Sequence, residues 1–298
     1  MKRIDLLVPS HYPLLCQWEI TCRCNLRCVM CYTDCYNTPA RIKDELSTVD
    51  ILRIMDEVAE AGCLELTLTG GEPLARPDFF EIYEHAKARG FLVCVFTNGT
   101  LITEAVADRF AADPPARVEI SVHGANAESF DAITQRHGSH VRCQAAIRLL
   151  LDRHIPLVLK TTAMTVNQAE VLSIKRFAET LGSVSYRLGE TMREALDGSE
   201  APCRYQLSAA ELDQLERQDV TLSREAAEND ARGRPACASE RTTCHIDAYG
   251  QLQRCSGNRL ASYDLRLGSF QEGFRKLTGF PCPARCPETT GREACATT

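Results

Sequence analysis

Leu64-Glu65-Leu66-Thr67-Leu68-Thr69-Gly70-Gly71-Glu72-Pro73 alternates apolar and polar residues for six positions, then stops on two glycines, an acid and a proline. Such alternation marks a strand, and the residues that end it are turn formers. The pattern recurs on both sides. Residues 14–20 read as a first strand, and strands over 91–96, 117–122, 156–163 and 184–188 follow. From residue 64 the strand starts lie 26 to 39 residues apart, which leaves room for a helix in each interval. Ser47, with Asp50 three residues on, caps a run in which Ile51, Ile54, Met55 and Val58 recur at helical spacing. Helices also fit 78–89, 102–112 and a stretch through 145–151, and Asn167 with Glu170 has the form of a capping box for a helix to about 181. Six strand–helix units build a parallel sheet with helices outside, either doubly wound or curled into a barrel.

In such sheets chemistry collects at the carboxyl ends of the strands. Four distinctive segments fall there: Gly70-Gly71-Glu72-Pro73, Thr97-Asn98-Gly99, Ser121-Val122-His123-Gly124, and the loop after the first strand. That loop carries Cys24, Cys28 and Cys31, followed by Tyr32. Three thiolates at these spacings wrap one corner of an iron–sulfur cube and leave one iron without a protein ligand. Soft thiolates suit iron–sulfur clusters or zinc, not magnesium or calcium.

Composition limits the alternatives. The chain has 298 residues, a formal net charge of −6 and 16 cysteines. An acidic balance argues against nucleic acid as a partner. No run of eighteen apolar residues offers a membrane span, and Asp5 and Pro9 interrupt the region a signal peptide needs, so the protein is expected to be cytoplasmic. In that compartment the cysteines indicate metal clusters or reactive thiols rather than a disulfide framework. Five lie within 22–35 and six within 237–298. Cys16, Cys63 and Cys94 sit in or beside apolar runs, where a thiol behaves as a small hydrophobe. Cys22 and Cys35 do not fit the cluster spacing and read as spare thiols. The segment 237–298 holds 8 Lys and Arg against 6 Asp and Glu, a net +2 that leaves −8 for residues 1–236. A slightly basic shell suits a thiolate-ligated cluster, whose own charge is negative.

Through the Cys24, Cys28, Cys31 spacing, the Gly70–Pro73 turn and the strand ending at Ser121, the chain resembles the radical S-adenosylmethionine (SAM) enzymes over roughly residues 14–190. The resemblance implies a partial (β/α)6 barrel. It also implies a [4Fe–4S] cluster on Cys24, Cys28 and Cys31, with SAM chelated at the open iron and a reducing partner such as flavodoxin or ferredoxin. Gly70, Gly71 and Glu72 are then expected to line the methionine amine, Ser121 the ribose, and Thr97 or Asn98 to lie nearby. Tyr32 is expected to shield the cluster or stack near adenine. Of the remaining polar residues, His123 either touches cofactor or substrate or is structural. Glu19 reads as structural, and Arg193 as a carboxylate holder or a solvated surface residue.

The tail resembles the cysteine-rich SPASM or shorter twitch domains of this superfamily, through Cys237, Ile246-Asp247, Gly250 and Cys255. That likeness gives a three-part chain: a barrel over 1–190, a connecting helix and linker over 191–236, opened by Ser208 and Glu211, and an auxiliary domain over 237–298. Cys237, Cys255, Cys282 and Cys286 are the expected ligands of one auxiliary [4Fe–4S] cluster, with Cys295 a further ligand or a spare; a structural zinc site is the alternative. Cys244 lies between two of these ligands. It is either a ligand itself or a hydrogen-atom donor that quenches a substrate radical from the opposite face.

With the cysteine loop beginning at residue 24, no peptide-binding domain is expected before it, which favours a small substrate, and the acidic barrel favours a cationic one. In size, cluster count and spare thiol the chain is similar to the radical epimerases of aminoglycoside (neomycin-type) antibiotic biosynthesis, which implies epimerisation of an amino-sugar carbon. A peptide (RiPP) maturase, or a dehydrogenase that uses the auxiliary cluster as electron acceptor, is the alternative.

Overall fold

The computed structural model describes residues 12–189, 192–224, 242–257, 259 and 261–278. Six parallel strands follow one another in chain order: β1 (Leu15–Glu19), β2 (Glu65–Thr69), β3 (Leu92–Thr97), β4 (Arg117–Ser121), β5 (Leu157–Thr162) and β6 (Ser185–Gly189). Helices α1 (Thr48–Glu60), α2 (Phe79–Ala88), α3 (Glu104–Ala112), α4 (Ala127–Thr134), α5 (Ser139–Asp152) and α6 (Val171–Thr180) connect them. This is the partial barrel the resemblance implies, one of the two forms the alternation allows. The strands alternate as half-buried strands do. Trp18, Leu66, Leu68, Val93, Val95, Val118, Ile120 and Leu159 pack under the helices in one core, while Gln17, Phe96, Glu119 and Lys160 face a cavity on the other side. The barrel face also carries a ladder of ion pairs, Glu65–Arg117 at 2.8 Å, Glu119–Arg187 at 3.3 Å and Glu119–Lys160 at 3.9 Å.

Two helix starts differ from expectation. Ser47 caps α1, its hydroxyl accepting from the Asp50 amide as the sequence suggests. Asn167 caps nothing. Its side chain accepts from Met164 N at 2.7 Å and donates to His123 O at 2.8 Å and Thr162 O at 3.0 Å, so it staples the loop after β5 to the end of β4. Helix α4 lies in an interval where only α5 is expected, and its cap is Asn126, whose Oδ1 accepts from Ser129 N.

After β6 come α7 (Ala209–Glu216), with Ser208 and Glu211 forming a complete capping box, then β7 (Thr243–Ile246), β8 (Gln251–Gln253), β9 (Tyr263–Asp264) and α8 (Phe270–Thr278). The strand order is β6-β5-β4-β3-β2-β1-β7-β8-β9. The described part of the tail therefore does not stand apart as a cap over the mouth. Strand β7 pairs in parallel with β1 and extends the same sheet, and Leu252, Leu265 and Phe270 join the main core. Helix α8 is tied to α1 by Phe270 N donating to Glu57 Oε2 at 2.7 Å. Among the described residues no helix is long and apolar enough to cross a membrane. Cys237, Cys282, Cys286, Cys295 and residues 225–236 of the connecting segment lie outside the described residues.

Candidate active site

The first strand ends at Glu19, and the chain then turns across the carboxyl ends of the sheet as the cysteine loop. Polar side chains from distant elements fix that loop. Glu45 accepts from the Thr21 hydroxyl at 2.9 Å and from Cys22 N at 2.7 Å. Asn37 brackets Cys24, accepting from its N–H at 3.3 Å and donating to its carbonyl at 3.0 Å. Arg76, just beyond the glycine turn and 5% exposed, donates to the carbonyls of Ile20 at 2.8 Å and Leu46 at 2.9 Å and pairs with Asp78.

The glycine turn meets the same segment backbone to backbone. Gly71 N donates to Thr21 O at 2.8 Å and Glu72 N to Arg23 O at 2.7 Å. A Cβ on Gly70, which has φ +148°, would stand 2.2 Å from Thr21 O; one on Gly71 would stand 2.5 Å from Arg23 O. Only glycine fits at either position. Glu72 does not line the cavity, contrary to expectation. It is fully buried, and its carboxylate accepts from Thr97 Oγ1 at 2.7 Å, Asn98 N at 2.7 Å and Leu74 N at 3.1 Å. Glu72 thus ties the turn after β2 to the turn after β3. Burial pushes its carboxyl up to about 7, against those three donors. Asn98 in turn donates to Asn25 Oδ1 at 3.0 Å, and its amide lies 4.0 Å from Cys24 Sγ.

These elements enclose a cavity of about 480 Å³. Cys24, Cys28, Cys31, Tyr32, Gly70, Gly71, Thr97, Asn98, Ser121 and His123 all reach it, as the sequence suggests. Burial pushes the Cys24 thiol up to about 12 and raises Cys28 and Cys31 as well. Left alone these groups stay protonated; a metal that takes thiolates reverses that. Leu26 N–H already points at Cys24 Sγ at 3.4 Å, and the Thr33 hydroxyl lies 3.4 Å from Cys31 Sγ. Among the described residues no three metal-ligating side chains converge on one ion. Cys24, Cys28 and Cys31 nonetheless reach one cavity from one loop, as thiolates that each take a different iron of a cube must. The donor set fits the cluster. Val29 and Met30 pack against Ile133, Met164 and Met192, an apolar wall beside the loop.

Tyr32 is held differently. Its hydroxyl donates to Glu19 Oε1 at 2.9 Å, and the Arg193 and Arg259 guanidiniums lie 5.1 and 5.6 Å from its ring centre. The same Glu19 oxygen takes Arg259 Nη2 at 2.6 Å and stands 3.4 Å from His245 Nε2 on β7. Burial alone would raise the Glu19 carboxyl, but His245 and Arg259 outweigh it and hold it well below the usual carboxylate range. Glu19 is therefore the joint between barrel, cysteine loop and tail, a part its residue type alone did not disclose. His123 Nδ1 accepts from Thr162 N at 3.2 Å, and burial with the Lys160 charge pushes it down to about 4, so the ring is neutral.

Cys244 requires the largest correction. It is the register partner of Cys16, 3% exposed, and belongs to the core beneath the helices. Its neighbour His245 takes the inward face. A thiol on the helical side of the sheet cannot hand a hydrogen atom to a substrate in the cavity, nor ligate a cluster there. Of the cysteines expected to ligate an auxiliary cluster, Cys255 is the one among the described residues; it is buried and adjoins Ser256, which lines the cavity.

The Radical SAM superfamily pattern matches residues 18–178, more than half of the chain, and the chain belongs to that superfamily. Its cofactors are accordingly a [4Fe–4S] cluster and SAM. The AdoMet-dependent heme synthase of Methanosarcina barkeri is 36% identical over 184 residues, 61% of this chain; the chain spans about half (52%) of that relative. Mycofactocin maturase MftC of Mycolicibacterium smegmatis is 30% identical over 306 residues, covering 95% of this chain and 77% of its own. Among solved structures, Streptococcus suis SuiB bound to SAM superposes with a TM-score of 0.70 at 14% identity, over 88% of this chain and 65% of that one, a likeness of fold.

Proposed function

We propose that this enzyme removes a hydrogen atom from carbon in a peptide or small organic substrate and completes an oxidation rather than an epimerisation. The observation that carries this reading is the match to a peptide maturase along 95% of the chain, tail included. The epimerase expectation rested on size, cluster count and a spare thiol, and that thiol, Cys244, faces the core. Among the described residues the thiols that line the cavity are Cys24, Cys28 and Cys31, and the cluster occupies all three.

When bound, the [4Fe–4S] cluster with SAM supplies one-electron cleavage of a sulfonium and a carbon-centred radical. The chain's own residues prepare for this. Cys24, Cys28 and Cys31 would hold the cluster, and the Gly70–Gly71 turn, which lines the cavity, would face the methionine end of SAM. Ser121 and His123 offer polar groups along the β4 end, and the Met30–Met192 wall excludes water. Cys255 is the described member of an auxiliary set with Cys237, Cys282 and Cys286, whose [4Fe–4S] group would accept an electron.

The test is anaerobic reconstitution followed by reduction. Two clusters give about eight iron and eight sulfide per chain, and replacement of Cys24, Cys28 and Cys31 by Ala abolishes 5′-deoxyadenosine formation. Stoichiometric zinc in the tail sinks the auxiliary cluster. With peptide substrates in deuterated water, oxidation yields a product two hydrogens lighter without deuterium on carbon. A product of unchanged composition that carries solvent deuterium restores the epimerase.

A further inference from the structure

Among the described residues one cation in the cavity wall has no counter-charge. Lys160 pairs with Glu119, which also takes Arg187, and Arg259 pairs with Glu19. Arg193 lines the same cavity, yet among the described residues it makes no ion pair, and its Nη1 is buried with no hydrogen-bond partner. Buried donors are ordinarily satisfied, so an orphaned guanidinium N–H on a side chain that lines a cavity marks a place where a ligand supplies the acceptor.

Its setting is fixed. The segment from Met192 to Leu196 crosses from the end of β6 to the cysteine loop, where Leu196 N donates to Tyr32 O at 2.9 Å. Met192 N donates to Gln206 Oε1 at 2.7 Å. Tyr32, anchored through its hydroxyl on Glu19, gives the Arg193 guanidinium an aromatic ring to lie over. Arg193 therefore stands where the chain after β6 meets the loop after β1. The turns that resemble SAM-binding motifs follow β2, β3 and β4.

We infer that Arg193 is the specificity residue for substrate and binds a carboxylate, so that the substrate is an acid: an amino acid or a peptide whose carboxylate enters the cavity. This rests on the radical reading above and replaces the expectation of a cationic substrate. A planar guanidinium matches a carboxylate through paired N–H donors. A phosphate, with close to two charges, would call for a second unpaired cation, and the cavity's other cations are already paired.

The experiment uses the reconstituted, SAM-loaded enzyme and a panel of N-acetyl amino acids, each compared with its C-terminal amide by calorimetry. The expected result is that free acids bind about ten-fold more tightly than the amides, as a charge-assisted pair gives. Arg193→Gln should erase that difference, Arg193→Lys should restore part of it, and SAM affinity should be retained throughout. Equal binding of acids and amides overturns the inference. So does a ten-fold loss of SAM affinity in Arg193→Gln, which would assign the guanidinium to the cofactor's carboxylate. Absence of 5′-deoxyadenosine from the reduced wild-type enzyme would instead fail the radical reading itself.

Discussion

Cys16 and Cys244 lie opposite one another on β1 and β7, in register and on the helical side of the sheet. Burial and the neighbouring sulfur act together there: the hydrogen bond with Cys244 raises the Cys16 thiol well above its ordinary value. The pair is packing. Replacing Cys244 by Ala should cost roughly 1–2 kcal/mol of stability, as a small core cavity does. Reductive SAM cleavage should stay at the wild-type rate. Denaturant unfolding and 5′-deoxyadenosine assays check the two halves, and loss of substrate turnover at full stability would return Cys244 to the chemistry.

The glycine turn offers a paired comparison. Gly71→Ala drives a methyl into Arg23 O and Cys22 O, both backbone atoms that hold the cysteine loop. It should lose about 1–3 kcal/mol, as overpacking does, and retain less iron after reconstitution. In Gly189→Ala the nearest atom to the new methyl lies at 3.6 Å, so that variant should keep its iron. Equal iron content in the two variants would contradict the close approach.

Removing the Glu19 carboxylate isolates the joint between barrel and tail. Glu19→Ala leaves Arg259 and His245 without their shared partner in a buried site, a loss of about 3–5 kcal/mol. The effect should be local first. Hydrogen exchange in the β7–β8 hairpin should quicken more than in β3 or β4; uniform quickening would place Glu19 outside this role.

His123 sets an acid limit on stability. Its folded pKa, about 4, lies below the ordinary 6.5. Between those values the unfolded chain binds a proton that the fold excludes, so stability falls as pH drops from 6.5 toward 4. The loss is on the order of 3 kcal/mol. His123→Gln should flatten that part of the pH–stability curve, and an unchanged slope in the variant would dismiss the assignment.

What was legible in the sequence was local. Ser47 and Ser208 announce their helices because a cap is completed within four residues. Asn167 carries the same signal and misleads, since its amide serves three backbone groups brought together only by the fold. Cys244 misleads for a related reason. Alternation along β7 establishes that Cys244 and His245 point opposite ways, but register with β1 decides which faces the cavity, and β1 lies more than two hundred residues earlier. The cluster thiols were legible because their spacing states their geometry. The position of Arg193 as the cation left without a counter-charge among the described residues was not, because only the folded cavity reveals which cations already have partners.

The strand order has a bearing on how the chain is made. Strand β1 sits between β2, its near neighbour in sequence, and β7, which emerges from the ribosome long after the six barrel strands. Until then the nascent chain carries β1 as an open edge, the kind that invites pairing with other chains. The cysteine loop and both turns that clasp it are complete by residue 100, so the cradle for the first cluster can assemble while the tail is still being synthesised. Closing the edge with β7 then becomes a late step of folding, and Glu19, at the end of β1, is where late arrival and early scaffold are locked together.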